Sequence, residues 1–155
     1  LRVDVQSGRS EQYVYPMESV HHGCNEILSV EGGRFLVIER DGRSGGKAVF
    51  KRIVLIDVAG ATDVSGVASL PYRGLPDGVR PVAKRAVIDL LDERWGLAGG
   101  SFPEKIEGLA FGPDGEDGSR TLVVTSDNDF KEDQPSWAWV FSVPRSVLEW
   151  PAGTR

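Results

Sequence analysis

A single cysteine, Cys24, leaves this chain unable to form an internal disulfide and rules out the thiolate cluster that holds a structural zinc. Positive charge is also in short supply. Eighteen Lys and Arg face 23 Asp and Glu for a net charge of -5, and the basic residues are scattered among acids instead of forming a stripe. Such a surface offers no field to a phosphate backbone, so no nucleic-acid partner is expected. No apolar run approaches the roughly 18 residues of a spanning helix, and no membrane insertion is expected. The start, LRVDVQSGRSEQYVYPM, has neither the basic opening nor the long apolar centre of a secretory signal. It reads instead as two strands around SGRS, as if the text opened in the middle of a sheet.

What is present is β-rich throughout. Nine short runs alternate with turn signals: LRVDV, QYVYPM, EILSV, RFLVIE, FKRIVLIDV, KRAVIDLL, IEGLAF, TLVVTS and WAWVFSV. Recurrence of this kind predicts an all-β sandwich, barrel or propeller. The turns EGG (31–33) and GPDGEDG (112–118) supply the positive-φ positions that hairpin reversals need. The stretch 60–81 holds too much Gly and Pro for a core element and reads as a surface excursion. DLLDERWGL could add a helical turn.

A repeat selects among these architectures. NEILSVEGGRFLVIERD from Asn25 resembles IEGLAFGPDGEDGSRTLVVTSD from Ile106, with Glu26 aligned to Glu107, Leu28 to Leu109 and Asp41 to Asp127. Between the two copies lie the strands of one four-stranded antiparallel unit. The chain therefore reads as a partial β-propeller of about two to two and a half blades in a single domain. Residues 1–20 give two outer strands of one blade, 21–95 a complete blade with an insertion at 60–83, and 101–155 three strands of the next. An arc of this size would leave blade faces open to water, so the expected partners are the remaining blades, from a longer parent chain or a second subunit.

The repeat also aims chemistry at one rim. Glu107 precedes one strand of a hairpin and Asp127, Asn128 and Asp129 follow its partner, so antiparallel pairing returns all four to one end. Asn25 and Glu26 face Glu39, Arg40 and Asp41 in the first copy. Converging carboxylate oxygens suit a hard cation such as Ca²⁺, although the spacing is not that of an EF-hand loop. The competing reading is that these acids cap turns and pair with Lys or Arg. Arg40, between two acids, could clamp a phosphate or serve as an internal ion-pair partner. His22 could meet a substrate or act as a base on a metal-bound water, although the sequence shows no group to orient it. Cys24 has no nucleophile context. Trp137, Trp139 and Phe141 share one face of a strand, as a ligand platform or as packing between blades.

The blocks NEILSVEGGRFLVIERD, KRIVLIDVAGATDV, EKIEGLAFGPDG and LVVTSDNDF resemble the esterase-like phytase domain family, from roughly Tyr13 to Phe141 and in that family's carboxy-terminal half. The resemblance implies a β-propeller, often exported to the periplasm or beyond the cell, with acids at the positions of Glu39, Glu107, Asp127 and Asp129. It further implies a metal-assisted hydrolase of phosphoesters or related esters. In that reading Glu107, Asp127 and Arg40 are catalytic, and Glu107, Asp127, Asn128, Asp129 and Glu39 are metal ligands, with calcium the expected ion. Arg40 and His22 then contact a phosphoester ligand. The family's amino-terminal blades have no counterpart among these blocks. The alternative is a non-catalytic propeller module that binds or scaffolds and holds calcium as a staple.

Overall fold

A computed structural model describes residues 1–151. The last four positions of the segment 101–155 lie outside the described residues. The strands are β1 (Arg2–Val3), β2 (Ser10–Glu11), β3 (His22–Val30), β4 (Arg34–Asp41), β5 (Lys51–Asp57), β6 (Ala83–Asp89), β7 (Ile106–Phe111), β8 (Arg120–Ser126) and β9 (Ala138–Val143). Every pairing is antiparallel, in sheets ordered β1-β2, β3-β4-β5-β6 and β7-β8-β9. Among the described residues the helical elements are short 3-10 turns, one of which, Glu93–Trp95, is the expected helical turn, with Asp92 accepting from the Arg94 N–H. The fold is all-β: three antiparallel sheets that do not close into a barrel, as in a partial propeller.

Local sequence accounts for the main elements. β4 and β5 are almost wholly buried along their length, which is why RFLVIE and RIVLID read as near-continuous apolar runs instead of alternating ones. The β3–β4 reversal places Gly32 and Gly33 at φ 75 and 79, a region a β-carbon would strain. One expectation needs correction. The run QYVYPM is not a strand, because the assigned pairing stops at Glu11. Its backbone instead accepts from the excursion, Val64 N–H to Gln12 O at 2.8 Å and Val82 N–H to Val14 O at 2.9 Å. The segment is thereby held over the four-stranded sheet, with Tyr13 and Tyr15 packed against Val37, Val54, Ile56 and Val82.

The main core lies between the two larger sheets. Leu36, Ile38, Ile53, Leu55 and Ile88 come from one, and Ile106, Leu109, Leu122, Val124, Phe141 and Val143 from the other. Each such side chain contributes roughly 1.5–3 kcal/mol relative to exposure, so this interface fixes how the two sheets sit. Phe102 and Trp139 stack at 5.8 Å between ring centroids, and Trp139 continues into Trp137 at 6.4 Å. Trp139 and Phe141 are thus packing residues, while Trp137 remains 40% exposed.

Candidate functional site

Two β-bulges organise the rim. In the β3–β4 pair the register slips between Cys24 and Glu26, leaving Asn25 extra, and in β7–β8 it slips between Ile106 and Gly108, leaving Glu107 extra. A bulge re-aims a side chain out of the ladder. The bulged residues are therefore the structural equivalents, and Glu107 matches Asn25, one position from the Glu26 that sequence similarity selects. On the partner strands the same count equates Arg40 with Asp127. Gapless alignment has no means of seeing an unpaired residue.

These equivalent positions meet across the two sheets. Arg40, a residue only 7% exposed, donates through Nη2 to Glu107 Oε1 at 2.9 Å, and Asn25 Nδ2 donates to the same oxygen at 3.1 Å. Arg40 Nη1 donates to the Asp41 carbonyl at 3.2 Å, and Nε is buried without a hydrogen-bond partner. Lys105 stands 3.9 Å from Glu107 and 3.7 Å from Asp129, between the acids of the hairpin's two strands. The expected convergence of Glu107 with Asp127–Asp129 is present, since the Asp127 N–H bonds the Lys105 carbonyl at 2.9 Å. Side-chain cations already balance it.

Asp127, Asn128 and Asp129 build a loop. Asp127 Oδ1 accepts from the Asp129 N–H and Asn128 Oδ1 from the Phe130 N–H, both at 3.1 Å. Asn128 Nδ2 donates to the carbonyls of Lys131 and Gln134. These Asx-type bonds hold Asp129 and Phe130 in the left-handed region, at φ 51 and 57.

Glu39 is wholly buried and saturated. Its Oε1 takes the Glu18 N–H at 2.7 Å and His22 Nδ1 at 3.1 Å, and its Oε2 takes the Tyr15 hydroxyl at 2.6 Å and Lys84 Nζ at 2.9 Å. Burial pushes this carboxyl up, but the bonds from Tyr15, Glu18, Lys84 and His22 outweigh it and bring the pKa down to about 2. Burial and the Glu39 hydrogen bond drive the Tyr15 hydroxyl upward. His22, for which the sequence offered no orienting group, has one in Glu39, and its ring lies 4.1 Å from that of Phe50. Cys24 is exposed on β3.

Sequence reasoning overlooked Tyr15, Lys84, Lys51 and Lys105. Lys51 is fully buried and joins the Asp41 carboxylate at 2.9 Å, the Asp41 carbonyl at 2.8 Å and the Glu104 carbonyl at 2.9 Å. The available signal was a lysine at the head of an otherwise apolar strand, which implies a paired cation.

Calcium needs six to eight oxygens, and the described donors do not fit that shell. Glu39 has no lone pair to spare, Glu107 Oε1 is held by Arg40 and Asn25, Asp127 Oδ1 and Asn128 Oδ1 accept from loop N–H groups, and the Asp129 carboxylate faces Lys105 and Lys131, each at 3.7 Å. Among the described residues no group of three or more His, Cys, Asp or Glu is placed to hold a metal ion.

Antiparallel sheets packed face to face, with bulged inner strands carrying polar groups to one rim, define a propeller-type class. A family model, phytase-like, esterase-like activity of phytase, matches residues 1–130, and the chain belongs to that family. The match stops before β9 and begins ahead of the Tyr13 boundary inferred from sequence blocks. No curated protein and no solved structure matches the chain significantly. Among the described residues no helix is long and apolar enough to cross a membrane.

Proposed function

We propose that this chain forms part of a phytase-type hydrolase acting on a phosphoester or related ester at the rim where Arg40, Glu107 and Asp127 lie, in a protein exported to the periplasm or beyond. The observation that carries the reading is the delivery of a buried guanidinium to the junction of two sheets, where its one short ionic contact is the half-exposed Glu107. Arg40 and Lys105 would offset negative charge as it develops on the substrate, acting in a partly desolvated place where such donors are worth most. Glu107, positioned by Asn25 and Arg40, would take a proton from the attacking water as the new P–O or C–O bond forms. The ester bond to the leaving oxygen then breaks, and that oxygen takes a proton from solvent. Asp127 borders the same rim, and His22 opposes Asp41, next to Arg40 in the ladder. No step runs through calcium.

One observation favours the second reading, a non-catalytic module: Glu39, Asp41, Glu107 and Asp127 each have a partner that explains them structurally. The two readings separate on 4-nitrophenyl phosphate, bis(4-nitrophenyl) phosphate and 4-nitrophenyl acetate, assayed with and without EDTA. Hydrolysis that survives EDTA and falls by about 100-fold or more in Glu107→Gln supports the hydrolase. No turnover by the folded protein assigns it to the module, whereas turnover that Glu107→Gln leaves intact removes Glu107 as the base and this rim as the site of the chemistry.

A further inference from the structure

The residue ahead of β9 is an aromatic that the core does not use. Trp137, Trp139 and Phe141 share one face by strand alternation. Phe141 lies in the intersheet core and Trp139 packs against it. Trp137 continues that face towards the rim, 40% exposed, and lines a cavity of about 290 Å³ between the segment ahead of β7 and the loop joining β8 to β9. Its ring is nearly parallel to that of Trp139, at 4°, and Trp139 is nearly parallel to Phe102, at 7°. The backbone fixes its place: the Trp137 N–H donates to Ser126 Oγ and its carbonyl accepts from the Ser126 N–H, both at 2.9 Å. A run of parallel rings thus ends on a preplaced, half-open indole at the wall of a cavity.

Most of the remaining lining is polar. Among the described residues the side chains of Ser44, Ser101, Asp133 and Gln134 have no hydrogen-bond or ion-pair partner in the protein, which leaves hydroxyl, carboxylate and carboxamide groups free to meet a ligand. The charged lining is Glu104, Asp127, Asp129 and Asp133 against Lys105 and Lys131, and this excess of acids repels a polyanion. A cavity at the lower end of the roughly 300–1,000 Å³ of ligand pockets suits one ring better than a chain of them. A flat apolar wall bordered by free donors and acceptors matches a ring with a face of C–H groups and a girdle of hydroxyls. A purely aromatic ligand would use the stack but take water from the carboxylates without replacing its hydrogen bonds. We propose that the cavity binds an uncharged pyranose sugar, with its C–H face on Trp137 and its hydroxyls bonded to Asp133, Gln134 and the two serines.

Packing against a further sheet does not account for this ring. Trp137 stands on the face of the three-stranded sheet that the four-stranded one already covers, whereas a further sheet would lie on the opposite face. The cavity shares Lys105 and Asp127 with the rim of the hydrolase reading, but the inference does not rest on that reading, because binding needs no turnover.

The probes are the methyl β-glycosides of glucose, galactose, mannose and xylose, titrated into the ¹⁵N-labelled full chain to about 50 mM, with sorbitol at equal concentration as an acyclic control. At least one glycoside is expected to give saturable shifts at the Trp137 indole N–H and the Gln134 side-chain amide, with a Kd of about 1–10 mM, and sorbitol none. Trp137→Ala is expected to weaken that binding at least about tenfold, and Trp137→Phe, which keeps a ring, by less than about threefold. Asp133→Ala, at an exposed residue with no partner to lose, is expected to weaken it at least about threefold with an unchanged circular dichroism spectrum, and it carries the test if Trp137→Ala alters the fold. Absence of saturable shifts with every glycoside, shifts that sorbitol reproduces, or binding that either alanine variant leaves intact in a folded chain would overturn the proposal. So would saturation of the same resonances by myo-inositol hexakisphosphate or by phenol where no glycoside binds, which would give the cavity to a polyanion or to an aryl ring.

Discussion

Arg40 on β4 donates to Glu107 on β7 at 2.9 Å and so ties the four-stranded sheet to the three-stranded one at the candidate site. The two ends of this pair differ in environment, with side-chain exposures of 9% and 30%. Removing the carboxylate strands a cation that water reaches poorly, and Glu107→Ala is expected to destabilise by about 2 kcal/mol in urea unfolding. In an Arg40→Met background the same change should cost less than about 0.5 kcal/mol, because no buried charge is left behind. Equal costs in both backgrounds would show that the pair is not coupled.

Glu39 makes acid lability a local property. Its folded pKa of about 2 lies below the ordinary value of 4.5. A depressed carboxyl contributes stability that is fully present above the unfolded pKa and is lost as pH falls through the folded one. Its share, on the order of 3 kcal/mol, should therefore disappear between about pH 5 and pH 2. Glu39→Gln is expected to be less stable at pH 7 and to show a flatter decline across that window, measured by urea midpoints at each pH. Parallel pH profiles for the two proteins would remove Glu39 as the cause.

The fold was legible because the β runs and glycine turns follow local rules that tertiary context did not override. QYVYPM shows where that fails: its residues have the composition of a strand, but its carbonyls at Gln12 and Val14 accept from Val64 and Val82, far along the chain, and among the described residues no strand pairs beside it. Placing Glu107 and Asp127 at one end of a hairpin required only antiparallel geometry. Their cations could not be foreseen, because Arg40 comes from the neighbouring sheet and nothing in the local pattern marked Lys105 as the cation that reaches both Glu107 and Asp129. Glu39 read as a rim acid by the same reasoning. Its burial depends on Tyr15, Glu18 and Lys84, which are brought together only by the segment crossing over the sheet.

The oxygen-rich loop 127–129 gives a direct prediction about cations. A site of Kd about 10 μM would add roughly 2.7 kcal/mol at 1 mM calcium by mass action, a shift of several degrees in Tm. With Asp127 Oδ1 and Asn128 Oδ1 held by loop N–H groups and the Asp129 carboxylate balanced by Lys105 and Lys131, the loop is expected to move Tm by less than about 1 °C between EDTA and 1 mM calcium. A rise above about 3 °C that Asp127→Asn abolishes would establish a cation site there.

Gly108 tests whether the bulge next to Glu107 is built by packing. A β-carbon at this position would lie 2.2 Å from Thr125 Oγ1, its neighbour across the β7–β8 ladder, while its φ lies outside the left-handed region. The demand for glycine is thus one of space, and the Thr125 side chain sets it. Gly108→Ala is expected to destabilise by about 1–3 kcal/mol, the range for overfilling a packed position. It should also shift the Glu107 and Arg40 resonances, since the register that aims Glu107 begins here. Thr125→Ala removes the obstructing hydroxyl, so the double variant should recover most of the lost stability and return those resonances toward their original positions. A Gly108→Ala penalty undiminished in the Thr125→Ala background would place its origin in the backbone of the bulge instead.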